Sequence, residues 1–345
     1  MRDVIADIDR WRSENKAVAL ATVVQTWGSS PRAAGAKMAL TPPPHNDIAG
    51  SVSGGCVEGA VYEEGVQALA TGRARLLHFG VADETAWEVG LACGGSIDVF
   101  VQPLNAHIYQ AIHSTLTEQL PFATVTIVAG PPEILGATLL VHDDGQVSGS
   151  LGDWHDAALD VSRAALQAGQ SRRQKLSDSV EIFIEVTLPP PTLVIVGGVH
   201  IAIALTALAK TLGYRTIVVD PRKAFGNEAR FPHADQLIQA WPDEALAQIS
   251  LTRGTAIAML THDPKLDDPA LKLALPSSAF YVGALGSPTT QAKRRARLLA
   301  EGLTETQINR LYGPIGLDLG ARSPEEIALA VMAQVVAARN GRMAH

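Results

Sequence analysis

Residues 193–212, LVIVGGVHIAIALTALAKTL, are apolar almost without interruption, and no other stretch constrains the fold as tightly. A run of this kind is either a membrane span or a buried strand followed by a buried helix. A glycine pair and His200 sit in its middle and Lys210 near its end, which favours a strand, a glycine turn and a helix. Further apolar runs follow: RTIVVD (215–220), DQLI (235–238), AIAML (256–260) and AFYVG (279–283). Helical stretches near 201–211, 243–249, 267–274, 288–300 and 304–311 separate or follow them. A last helix is announced by Ser323 as cap, Pro324 in the first position and Glu326 closing a capping box. Its positions Ile327, Ala330, Val331, Ala333 and Val335 would face the core. Alternating strands and helices predict a Rossmann-like parallel sheet with helices on both faces, over residues 192–345.

Pro189-Pro190-Pro191 continues neither helix nor central strand and reads as a stiff linker. Residues 1–188 before it read as an α+β domain with an internal repeat. The run Val18 to Val24, AKMAL (36–40), DIAGSVSGG (47–55), a helix from Val57 to Ala70 and SIDVFVQP (96–103) make the first copy. ATVTIV (123–128), ATLLV (137–141), QVSGSLGD (146–153), a helix from Asp156 to Gln167 and VEIFIEV (180–186) make the second. Both carry Gly-Ser before the helix, but Cys56 and Cys93 fall only in the first. A scaffold needs both copies while chemistry needs one, so the first copy is expected to be the functional one.

A net charge of −7 over 345 residues excludes a broad basic face for nucleic acid or an anionic membrane. Two cysteines indicate a reducing compartment instead of a disulfide framework, and Met1-Arg2-Asp3 opens a polar amphipathic stretch where a secretory signal would be apolar, so a cytoplasmic location is expected. The chain carries no C-x-x-C, H-E-x-x-H, G-x-S-x-G or Walker A motif.

Five places carry candidate chemistry. Gly197-Gly198-Val199-His200 follows a strand and opens a helix, and Asp220 ends the next strand where a dinucleotide fold keeps its ribose-binding acid. Val199 stands where G-x-G-x-x-G has its second glycine and would obstruct a pyrophosphate, so the loop fits NAD(P) or a Rossmann fold without a dinucleotide. His262 and Asp263 follow the strand AIAML, and Gly283, Gly286 and Ser287 follow AFYVG. Both sets fall at the carboxyl edge of the sheet, with Ser287-Pro288 readable as an anion site or a plain helix cap. Lys293, Arg294, Arg295 and Arg297 on the next helix would face a phosphate or solvent. In the first domain, Gly28-Ser29-Ser30-Pro31-Arg32 suits a phosphate or carboxylate, and Ser53-Gly54-Gly55-Cys56-Val57-Glu58 places a thiol at a helix start, where N–H groups favour a thiolate. Cys93 lies beside Gly94-Gly95; the ordinary alternative for both thiols is a small, inert residue.

GSSPRAAGAKM (28–38), GSVSGGCVEGAV (50–61), LACGG (91–95), the segment 193–202, VVDPR (218–222), THDPKLDDPAL (261–271), GALGSPTTQAKRRARL (283–298) and residues 313–341 together resemble the XdhC/CoxI family of xanthine dehydrogenase accessory factors. The resemblance runs over nearly the whole chain, and Val199 departs from the family's Gly-x-Gly-His. It implies a helper more than a metabolic enzyme. Such a protein binds the molybdenum cofactor (molybdopterin), protects it while a cysteine desulfurase exchanges an oxo ligand for sulfur, and delivers it to the catalytic subunit of a molybdenum hydroxylase, as a homodimer. On this reading Cys56 contacts molybdenum or the transferred sulfur, and Arg32, Gly54 and Gly55 shape one wall with Cys93 nearby. Gly197, Gly198, His200, Asp220, His262 and Asp263 line the other wall, and Gly283, Gly286 and Ser287 hold the phosphate. An NAD(P)-dependent oxidoreductase and an interaction-only assembly factor are the alternatives.

Overall fold

In Ala19–Trp27 (β1), Ala19, Ala21 and Val23 point to one side and Leu20 and Val24 to the other. Both faces of this strand are covered, which is why it reads as a nearly continuous apolar run. A computed structural model describes residues 1–30, 32–80 and 94–343. The chain forms two compact units, Met1–Pro189 and Pro190–His345.

In the first unit, α1 (Ile5–Ser13) precedes β1, followed by β2 (Lys37–Leu40), β3 (Ile48–Gly50), α2 (Glu58–Thr71), β4 (Arg75–Phe79) and β5 (Ser96–Pro103). These strands make an antiparallel sheet in the order β3-β2-β1-β5-β4. Then come α3 (Ala106–Thr117), β6 (Phe122–Ala129), β7 (Thr138–His142), β8 (Val147–Gly149), α4 (His155–Ala168), β9 (Arg172–Lys175) and β10 (Glu181–Thr187), in the order β8-β7-β6-β10-β9. The expected repeat is there, strand for strand, and its irregularities repeat too. Val24 is the extra residue of a bulge where β1 pairs β5, and Val128 is its counterpart where β6 pairs β10. The two bulged valines meet Phe100 and Phe183 in one apolar cluster shared by the sheets, while α2 and α4 cover the other faces.

Gly50 and Gly149 close β3 and β8, one edge strand of each sheet, at φ +73 and +91. A Cβ there would run into Lys37 O or Thr138 O, and would lie 2.6 Å from Val4 Cγ1 or 2.7 Å from Ile108 Cδ1. The Gly-Ser step common to both copies is therefore required by a backbone crossing. Two strands that the sequence pattern did not indicate, β4 and β9, occupy matching edges; β9 is Arg-Arg-Gln-Lys and is held by its pairing with β10.

The second unit contains β11 (Thr192–Val196), α5 (His200–Thr211), β12 (Arg215–Val219), β13 (Gln236–Ile238), α6 (Pro242–Gln248), β14 (Thr255–Met259), α7 (Pro264–Ala274), β15 (Tyr281–Ala284), α8 (Pro288–Ala300), α9 (Glu305–Ile308), β16 (Leu311–Tyr312) and α10 (Pro324–Arg339). Six parallel strands run β13-β12-β11-β14-β15-β16, the Rossmann order, with α5 and α10 on one face and α6, α7 and α8 on the other. Ser323 and Glu326 form the expected capping box. Around α10 the buried stripe is wider than the sequence suggests. It includes Ala328, Met332 and Gln334, with Ala333 only half-buried, because Gln334 accepts from Tyr281 Oη at 2.7 Å and Gly316 N at 2.8 Å. The apolar run at 193–212 is split between β11 and α5, and among the described residues no helix is long and apolar enough to cross a membrane.

Gly145 and Gly149 separate the two costs of replacing a left-handed glycine, because a Cβ at Gly145 (φ +88) meets nothing within 4 Å. Gly145→Ala is expected to cost about 1 kcal/mol from conformation alone. Gly149→Ala adds a backbone clash and should cost about 3 kcal/mol or more. Urea denaturation midpoints of the two variants measure the difference.

Candidate functional site

At one end of the first sheet, β1 and β4 finish, β3 finishes, and β2 and β5 begin. The loops after Trp27 and Gly50, and the approach to Ser96, therefore emerge together. The loop 51–57 is built around Glu58, the first residue of α2. Its carboxylate accepts from Ser51 Oγ at 2.5 Å, Val52 N at 3.2 Å, Ser53 N at 2.9 Å, Gly55 N at 2.9 Å and Val57 N at 3.2 Å, and from Ser53 Oγ. The serine hydroxyls take the rest: Ser51 Oγ accepts from Gly54 N at 2.8 Å, and Ser53 Oγ accepts from Cys56 N at 3.0 Å. All six N–H groups from Val52 to Val57 are thus turned inward. Gly54 and Gly55, at φ +77 and +115, supply the left-handed backbone that turning requires.

Cys56 is left on the outside of this nest as an exposed free thiol. The N–H groups of residues 52–57 are taken by Glu58, Ser51 and Ser53, so none of these six is directed at the Cys56 thiol. Glu58 is the organising residue, the one member of the Ser53-to-Glu58 motif whose charge the sequence left without a role. The signal was present as an acid in the first turn after a Ser/Gly-rich loop, which reads equally well as an ordinary helix-start charge. Burial works to raise the Glu58 carboxyl, but hydrogen bonds from Ser51, Ser53 and the backbone outweigh it and hold the group at about 2.

Arg32 lies on the neighbouring loop, where it pairs with Asp3 at 3.2 Å on the surface. Such a pair is weak and leaves the guanidinium able to exchange partners. Gly28 and Gly95 let the loop after Trp27 and the approach to Ser96 touch backbone to backbone: a Cβ on Gly95 would lie 2.7 Å from Ser29 O. Cys93 and Pro31 lie outside the described residues. Among the described residues no three His, Cys, Asp or Glu side chains gather as a metal site.

In the second unit, Gly197, Gly198, His200, Asp220, His262, Asp263, Gly283, Gly286 and Ser287 all fall at or beside the carboxyl edge of the sheet. Several are engaged within the fold. Asp220 is fully buried and accepts from Gly198 N at 2.7 Å, Arg222 N and Nε at 2.9 Å, and Arg222 Nη2 at 2.7 Å. Burial opposes its ionisation, but the hydrogen bonds from Arg222 and Gly198 hold its carboxyl below the usual range. A Cβ on Gly197 would lie 2.6 Å from Thr261 Cγ2, and one on Gly198 2.5 Å from Phe225 O, so packing alone requires both glycines.

Asp263 caps α7 by accepting from Lys265 N at 3.0 Å, and Ser287 caps α8 by accepting from Thr290 N at 3.2 Å. Gly283 is a buried strand residue beneath Ile315, and Gly286 (φ +136) turns the chain into Ser287. His200 and His262 are exposed, and the first turn of α5 has no side-chain cap. Neither expected setting holds for two of the helix α8 cations. Arg294 is buried and bonds Asp267 at 2.8 Å, and Arg297 bonds Asp268 at 2.5 Å, because these pairs tie α8 to α7.

Glu58 gives the loop a pH signature. A carboxyl held at about 2 when folded, against an ordinary 4.5, contributes stability that is complete above pH 4.5 and is lost as pH falls through about 2. Glu58→Gln should lower the melting temperature near neutrality and flatten its fall between these two pH values. An unchanged slope in thermal melts would remove Glu58 from this role.

Comparison with known proteins places these features. The model of the XdhC Rossmann domain matches residues 193–335, and that of the XdhC and CoxI family matches residues 11–80 and 115–177. A Bacillus subtilis protein named as a probable xanthine dehydrogenase subunit is 28% identical, with 96% of each chain covered. The molybdenum cofactor insertion chaperone PaoD of Escherichia coli is 26% identical over 94% of this chain and 84% of its own. A crystal structure from Bacillus halodurans, described as a xanthine dehydrogenase, shares the fold at a TM-score of 0.77 and 23% identity, covering 98% of this chain and 96% of that one. With both units matched in order, and with the Cys56 loop and the glycine turn of β11 inside the matched segments, the chain belongs to the XdhC and CoxI family.

Proposed function

We propose that the protein is a molybdenum cofactor chaperone: it binds the cofactor, supports its sulfuration and hands it to the catalytic subunit of a xanthine dehydrogenase-type molybdenum hydroxylase. The observation that carries this reading is Cys56, an exposed thiol on a loop whose amides are fixed from within. A soft, exposed sulfur ligand on a preformed loop suits a thiophilic metal centre or a sulfur in transit. The names of the Bacillus subtilis and Escherichia coli relatives support the same cargo and recipient.

When bound, the cofactor supplies the metal and its exchangeable ligands; this chain supplies the holding groups. Cys56 would contact the metal or the sulfur, and Arg32, held by a surface pair with Asp3, would offer a cation from the loop after β1. The partners this role requires are a cysteine desulfurase and the recipient subunit, met in the cytoplasm by a homodimer.

An NAD(P)-dependent reaction is disfavoured by one observation. Asp220, the residue that would bind the ribose hydroxyls, is fully buried, and Gly198 and Arg222 occupy its oxygens. Cofactor released from a molybdoenzyme should bind the wild-type chain, with Cys56→Ala weakening it about tenfold or more. NADH should give no saturable micromolar fluorescence change. Unchanged affinity in Cys56→Ala would remove the thiol from the site, and no binding by the wild type would overturn the function.

A further inference from the structure

The first sheet carries a second cluster at the same end, on the face turned away from α2. Asp98 and Phe100 point to that face, while Ile97, Val99 and Val101 point to α2. Asp98 is buried and accepts from two directions: His78 Nδ1 lies 2.7 Å from one oxygen and Arg173 Nη1 lies 2.5 Å from the other. Arg173 is itself fixed by Glu181, 2.7 Å from its Nε. His78 is nonetheless 64% exposed. A carboxylate bonded to one ring nitrogen selects the tautomer that donates there, leaving Nε2 as an oriented acceptor open to solvent. Trp27 stands edge-on to His78, ring centroids 5.9 Å apart, with 46% of its surface exposed.

The repeat shows what the scaffold alone demands here. The register positions of His78 and Asp98 are taken in the second copy by Lys175 and Glu181, which sit opposite each other between β9 and β10. That pair is loose, at 3.8 Å, with Lys175 69% exposed. The position matching Trp27, just past β6, is Pro131. An ordinary charge pair therefore satisfies the sheet, and the imidazole and indole of the first copy are additions that the fold does not need.

We propose that Trp27 and His78 form a contact for a planar heterocycle bearing N–H donors, with the indole packing against the ring and His78 Nε2 accepting from its edge. Asp98 and Arg173 act through His78 as positioning residues. The inference rests on the function proposed above, in which that heterocycle is the pterin ring of the cofactor.

Two probes separate the inference from that function: released molybdenum cofactor, and 6-hydroxymethylpterin, which has neither metal nor phosphate. Binding of 6-hydroxymethylpterin is followed by its fluorescence, and binding of the released cofactor by the molybdenum that stays with the protein through gel filtration. Trp27→Leu and His78→Ala should each weaken 6-hydroxymethylpterin about tenfold with unchanged melting temperature, while Lys175→Gln leaves it unaltered. Unchanged affinity in both Trp27→Leu and His78→Ala overturns the inference. So does a loss that tracks a fall in melting temperature, which would make the cluster structural. Wild-type protein that binds released cofactor but not 6-hydroxymethylpterin overturns this inference alone; wild-type protein that binds neither overturns the proposed function with it.

Discussion

A carboxylate turned inward onto backbone N–H groups sets the shape of both glycine loops in this chain. Glu58 and two serine hydroxyls take six consecutive amides of the loop that presents Cys56. Asp220 takes the Gly198 amide in the turn after β11. Hydrogen bonds to a charged acceptor are among the stronger polar contacts in a protein, and an amide left without one at such a site is costly. Each loop is therefore prefolded, with its own anion where a ligand anion would otherwise order it. In the first unit this frees the thiol to face outward; in the second it withdraws the acid that a dinucleotide would need.

Duplication of the scaffold makes the distribution of function readable. Both copies share the bulged central strand, the crossing at Gly50 or Gly149, and the helix covering the outer face. They part at the connection into that helix, which in the second copy is a single 3-10 turn, Gly152–Trp154, in place of the Glu58-centred nest. They part again at the sheet end, where the second copy has a lysine and a proline at the positions of His78 and Trp27. A shared backbone with unlike groups at matching positions is what separates the demands of the fold from those of chemistry.

Much of this was legible in the sequence, for identifiable reasons. The glycine turn between β11 and α5, the α10 capping box and the order of the repeat all follow from local rules of periodicity, turn chemistry and capping. β9 was not legible, because Arg172–Lys175 has no apolar alternation and is a strand only through its partner β10. Arg294 was not legible either: a basic helix face looks solvated until a distant acid, Asp267, is folded against it. The cluster at His78 depends on Arg173, far away in the chain and in the other copy, so no single-copy motif contains it. Long-range pairing decided each of these cases.

The central claim is that this chain carries a pterin–molybdenum cargo on a preformed thiol loop. Native mass spectrometry of the protein isolated from cells that make the cofactor tests it most directly. The account predicts a species heavier than the bare chain by one molybdenum-loaded cofactor per protomer, lost in Cys56→Ala with the fold intact. Wild-type protein found only at its bare mass, while a molybdoenzyme from the same cells is loaded, would contradict it.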